Sequence, residues 1–77
     1  MISDNPTPPA SGALILQRLP EVKARCGLSR SEIYRRVSMG VFPAPVKLGE
    51  RASAWPEHEV SAWIASRIAA RDAKAVR

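Results

Sequence analysis

The chain has one cysteine, Cys26, and one histidine, His58. A single thiol closes no internal disulfide, and with one histidine it cannot assemble a usual zinc site. A reducing, cytosolic setting is the expectation. Aromatic residues are equally scarce: Tyr34, Phe42, Trp55 and Trp63. With a handful of Ile, Leu and Val they suffice for the core of one small domain, near the lower size limit for a single apolar core. They leave no room to enclose a substrate cavity as well. Long apolar runs are missing too. Ala13–Leu16 is four residues long, far short of the roughly 20 needed to span a bilayer, and nothing resembles a signal peptide. Paired carboxylates, a nucleophile–base arrangement and a phosphate-binding glycine loop are absent. His58-Glu59 is not followed by a second histidine at the zinc-protease spacing. The expectation is therefore no enzyme, no cofactor, no metal, no membrane and no small-molecule substrate.

Acidic residues are also few, and this shortage is localised. The formal charge is +5. Between Arg18 and Trp55 stand Arg18, Lys23, Arg25, Arg30, Arg35, Arg36, Lys47 and Arg51 against only Glu21, Glu32 and Glu50. Residues 1–17 add only Asp4, and the stretch after Trp55 is nearly balanced. A polyanion-binding face would concentrate its charge in this way. Charge alone does not choose nucleic acid over a membrane surface or an acidic partner.

What is present is organised around Gly27-Leu28-Ser29-Arg30-Ser31-Glu32-Ile33-Tyr34-Arg35-Arg36-Val37. Gly27 reads as the end of a short helix opened by Pro20 and running to Cys26. Ser29 and Glu32 form the S-x-x-E capping box that starts the next helix, Arg30 to about Met39, which Gly40 ends. Ile33 and Val37 share an apolar underside. Arg30, Ser31, Tyr34, Arg35 and Ser38 take the other face and are groups that bond phosphates or base edges. The pattern is that of a helix-turn-helix, with the second helix placed to enter the DNA major groove.

The flanking chain supports this layout. Residues 1–12, rich in Pro, Ser and Asn, read as a disordered arm. Residues 13–17 are either a short strand or an extended lead-in laying Leu14 or Leu16 over the core. Val41–Pro45 cannot be helical because of its two prolines, and Phe42 is expected to plug the core from this loop. Val46–Leu48 and Ala52–Ala54 alternate as a β-hairpin wing, with an apolar face of Val46, Leu48, Ala52 and Ala54, and Lys47 and Ser53 on the other. Arg51 at its tip can reach a phosphate or a minor groove. Pro56 opens a closing helix whose stripe Val60, Trp63, Ile64 and Ile68 covers the core. Residues 13–71 would form the domain, with 72–77 fraying. Trp55 and Trp63 read as core, and His58 as solvated. Tyr34 reads as a phosphate-bonding phenol, a half-buried core ring, or both. Lys23 and Arg25 point outward, toward a DNA backbone.

The wording Arg18-Leu19-Pro20-Glu21-Val22, Gly27-Leu28-Ser29-Arg30-Ser31, Ile33-Tyr34-Arg35, Phe42-Pro43-Ala44-Pro45-Val46-Lys47-Leu48-Gly49, Ala54-Trp55 and Ala62-Trp63-Ile64 resembles the AlpA family. The resemblance runs from about Arg18 to Arg71. It implies a mainly α winged helix-turn-helix, related to MerR-type heads and excisionases, in a small phage or genomic-island regulator. By the same resemblance the protein binds double-stranded DNA at an attachment site or integrase promoter, as an excisionase, a transcriptional activator, or both. Ser29, Arg30, Ser31, Tyr34 and Arg35 then map to the recognition helix, and Lys47 and Arg51 to the wing. An integrase and neighbouring copies of the chain on DNA are the implied protein partners. Glu32 departs from the small hydroxyl residue common there, and either completes the cap, repels phosphate or reads a cytosine. The competing expectation is a protein-interaction module of the same fold that docks on a regulator or recombinase.

Overall fold

In the computed structural model, which describes residues 14–75, local signals start and stop the first two helices. Helix α1 (Leu19–Cys26) follows an extended Arg18, whose N–H donates to the Glu21 carboxylate at 3.2 Å. Pro20 lies in its first turn, where a missing N–H needs no partner. The helix ends at Gly27, with φ +70, whose N–H donates to the Lys23 carbonyl at 2.8 Å. Helix α2 (Arg30–Ser38) opens on the expected capping box. The Glu32 N–H donates to Ser29 Oγ at 3.1 Å, and the Ser29 N–H donates to Glu32 Oε1 at 2.8 Å. Its end is a Schellman motif: Gly40, at φ +78, donates to the Val37 carbonyl and Val41 to that of Arg36, both at 3.0 Å.

Of the segment 13–17, residue 13 lies outside the described residues, and Leu16–Gln17 form a short strand. Strand β1 (Leu16–Gln17) joins β2 (Val46–Lys47) and β3 (Ser53–Pro56) in a three-stranded antiparallel sheet of order β1-β3-β2. The expected two-stranded wing is thus the outer part of a larger sheet. Its register is the expected one, Val46 opposite Ala54 and Lys47 opposite Ser53. The Leu48 N–H closes the Gly49–Arg51 turn on the Ala52 carbonyl at 2.7 Å. On the other side Leu16 pairs with Pro56 and Gln17 with Trp55. Pro56 therefore ends β3, and helix α3 (Glu57–Ala75) begins one residue later. The Glu57 N–H, which no helical carbonyl can satisfy, donates to the Ile15 carbonyl at 2.7 Å.

Each main element gives the core one large side chain: Val22 from α1, Ile33 from α2, Phe42 from the proline loop, Trp55 from β3 and Val60 from α3. Trp55 is fully buried, and its indole N–H donates to the Pro43 carbonyl at 2.9 Å. Burying an aromatic ring of about 200 Å² at about 25 cal/mol per Å² contributes about 5 kcal/mol. Phe42 meets Trp63 edge-on with centroids 4.9 Å apart. The proline loop is thereby pinned to both tryptophans, as the core reading of these residues requires.

Several apolar positions lie outside this core, contrary to expectation. Leu14, ahead of β1, and Leu16, in this edge strand, are both exposed, so neither is laid over the core. Val46 and Leu48 are exposed, since the two-residue β2 forms the opposite edge and only Ala54 of that face is buried. Ile68 is also exposed: α3 outruns the globule beyond Ile64. Helix α3 continues to Ala75, so residues 72–75, expected to fray, are helical with exposed side chains. The proline-rich arm, residues 1–12, lies outside the described residues. Among the described residues, no helix is long and apolar enough to cross a membrane.

Candidate nucleic-acid interface

Helix α2 turns Ile33 and Val37 inward and leaves Ser31, Arg35 and Ser38 as its exposed crest. Arg30 and Tyr34, one turn apart, lie on the flank facing the wing. There the first turn of α1, the start of α2 and the β2–β3 hairpin enclose an open cleft of about 600 Å³. Its polar lining is Arg18, Arg30, Tyr34, Lys47, Arg51 and Ser53, with no carboxylate among the lining residues. Three guanidinium groups and an ammonium facing one cleft make a site for an extended polyanion.

Two of these groups are held in place. The Arg18 Nε donates to the Ser53 carbonyl at 3.1 Å, which fixes its guanidinium at the base of the wing. The Arg30 guanidinium lies 5.1 Å from the Tyr34 ring centroid, a cation–π contact worth about 0.5–1 kcal/mol at an exposed site. Tyr34 meets Trp55 edge-on at 6.0 Å and 63°. The half-buried ring thus packs on the core, as the core-ring reading expects, and also lines the cleft.

The Glu32 carboxylate is turned back onto the Ser29 cap. The Ser29 N–H, then the Ser29 hydroxyl, hold its pKa below the ordinary carboxylate range, helped by the positive fields of Arg36 and Arg35. It is a cap group in this structure. Burial pushes the half-buried Cys26 thiol up, with Arg25 opposing. Cys26 is thereby kept protonated and a poor nucleophile.

Of the sequence-predicted residues, the fold gathers Arg30, Tyr34, Lys47 and Arg51 in the cleft. Ser31 and Arg35 stand outside it on the crest, exposed. Ser29 is committed to the cap, its Oγ accepting from the Glu32 N–H and its own N–H and hydroxyl turned to the Glu32 carboxylate. Arg18 joins the cleft although sequence reasoning does not select it. No local signal marks it, because its partner Ser53 is 35 positions away. Arg25 is exposed, as expected, but its side chain also has a structural role that sequence reasoning does not select. Its guanidinium donates to Gln17 Oε1 and to Ser61 Oγ, both at 2.8 Å, so it ties β1, α1 and α3 together. Lys23 is exposed as expected.

The sequence over residues 15–68 matches the family described as the prophage CP4-57 regulatory protein (AlpA). It is also similar to an uncharacterized protein, ORF88, of Enterobacteria phage P4, with 54% identity over 54 residues. That alignment covers 70% of this chain and 61% of the phage protein, so the chain spans less than two thirds of that relative's length. No solved structure matches it. The matched segment holds all three strands, α1, α2, the wing and the core-forming part of α3. The chain belongs to the AlpA family of regulatory proteins.

Proposed function

We propose that this chain is a double-stranded-DNA-binding regulator of a phage or genomic island. Helix α2 enters the major groove with Ser29, Arg30, Ser31, Tyr34 and Arg35, while Lys47 and Arg51 of the wing follow the adjacent backbone. The cleft carries this reading: Arg18, Arg30, Lys47 and Arg51 face it without a carboxylate among its lining residues. A groove of that charge and openness suits a phosphodiester chain, where a protein-docking surface would be more apolar. Membership of the AlpA regulatory family supports the same class.

Within that class the chain acts at an attachment site or an integrase promoter, as a recombination directionality factor, an activator of integrase genes, or both. One short recognition helix and one wing contact only a few base pairs, which is weak against the excess of non-specific sites. Specific occupancy therefore comes from neighbouring copies on adjacent repeats, with an integrase as a further partner. A gel shift across a salt series, followed by a footprint over a neighbouring integrase promoter and attachment site, tests this. Protection of repeated sites supports it. Association with a protein partner that ignores salt, with no DNA shift at low salt, overturns it in favour of the docking module.

A further inference from the structure

The flank of α2 turned away from the cleft carries a second basic feature. Arg36 of α2 and Arg67 of α3 line a shallow notch of about 250 Å³, floored by Val41 and the half-buried Trp63. The polar groups of the floor are already satisfied. The Trp63 indole N–H donates to the Val41 carbonyl at 2.9 Å, and one Arg36 nitrogen donates to the Glu32 carbonyl at 3.2 Å. Neither guanidinium has an acidic partner among the described residues, where the one salt bridge joins Arg71 to Asp72 at 2.8 Å. Two like charges from different elements thus flank an apolar floor, and the Glu32 carboxylate, whose charge Arg36 feels, is bound to the Ser29 cap rather than to either guanidinium. An anion placed between them relieves their repulsion and accepts their remaining N–H groups.

Helix geometry identifies the anion. Residues two apart are rotated by roughly 200° about a helix axis, so Arg36 emerges almost opposite Tyr34. Arg35, on the crest, lies between them. A helix with its side chains is about 10–12 Å across, and the major groove is about 12 Å wide. A helix seated with its crest on the base edges has a phosphate wall along each flank. The cleft meets one wall, and the notch must meet the other. We propose that Arg36 and Arg67 form a second phosphodiester site, which grips the strand across the major groove from the one held by the wing. This rests on the DNA-binding reading above and adds a contact that neither the recognition helix crest nor the wing supplies.

Arg67→Gln is the clean probe, because Arg67 is exposed and its side chain makes no salt bridge or hydrogen bond to another element among the described residues. The full chain and the variants Arg67→Gln, Arg67→Lys and Arg51→Gln are titrated against the footprinted duplex over a salt series. Phosphate-ethylation interference is then mapped on both strands. The expected result for Arg67→Gln is a slope of log K against log salt shallower by about 0.9 for each phosphate that the variant no longer neutralises. Arg67→Lys keeps the parent slope. Interference should vanish in Arg67→Gln on the wall opposite that affected by Arg51→Gln. A parent that binds while Arg67→Gln keeps both the slope and the interference pattern overturns the notch alone. A parent with no salt-dependent shift overturns the DNA reading and the notch together.

Discussion

The Arg30 guanidinium stacks over the Tyr34 ring, 5.1 Å from its centroid, and that ring is braced in turn against the buried Trp55. A flexible cation at the mouth of the cleft is thereby coupled to the most buried aromatic of the core. Fewer rotamers remain to be lost when the guanidinium binds, which favours recognition by a defined geometry over a loose charge contact.

Tyr34→Phe should bind close to the parent, since the ring face is retained. Tyr34→Leu should lose about 0.5–1 kcal/mol of affinity for the cognate duplex through the missing cation–π support. Titration of both variants against one duplex checks this. Equal losses would mean that the phenol oxygen, not the ring, matters.

Recognition helix and wing should separate in their effects. Arg30→Ala or Arg35→Ala should lower specific affinity more than non-specific affinity, by about 1–3 kcal/mol where the arginine reads a guanine. Arg51→Ala should weaken both alike, as a backbone contact does. Cognate and scrambled duplexes titrated side by side decide it, and equal losses for all three variants would leave α2 without a reading role.

Binding of the parent should fall steeply with salt. Three to five neutralised phosphates per monomer would give a slope of log K against log salt of roughly −3 to −4.5. A slope near zero would remove the backbone from the interface.

Arg25 should behave as a structural cation. Its two side-chain hydrogen bonds link α1 to Gln17 and Ser61. Arg25→Ala should cost about 1–2 kcal/mol of stability, a fall in Tm of about 4–8 °C per kcal/mol for a domain of this size. The salt slope should not change. A lowered slope with an unchanged Tm would return Arg25 to the DNA-contacting set.

The Ser29–Glu32 cap predicts both a stability loss and a pH dependence. Ser29→Ala should destabilise by about 1 kcal/mol. The folded-state pKa of Glu32 is lowered by its bonds to Ser29. Its ionised form therefore adds stability that is complete above the ordinary glutamate pKa and is lost as pH falls through the lowered value. Thermal melts of the parent and Glu32→Gln across acidic pH should converge as pH falls. Parallel curves would mean that the carboxylate does not contribute to the cap.

The end of α1 and both ends of α2 are legible in the sequence, because their signals act over three or four residues. Ser29 and Glu32 bond each other, and Gly27 and Gly40 adopt positive φ where a Cβ would be strained. The register of Val46 on Ala54 follows from a short hairpin whose loop length fixes the pairing. Periodicity likewise places Val60, Trp63 and Ile64 on one side of α3. It does not say where the globule ends along that helix, and so it assigns the exposed Ile68 to the core stripe. The short stretch around Leu16 has no period to read, and only an available edge of β3 makes it a strand. Arg18 and Arg25 are the least legible. Sequence shows that they are charged, but their partners Ser53 and Ser61 lie 35 and 36 positions away. Local bonding rules act within a turn or a hairpin, whereas the direction of a long cationic side chain depends on which distant backbone or hydroxyl the packed core brings within reach. That is why one of these arginines lines the cleft and the other holds the fold together.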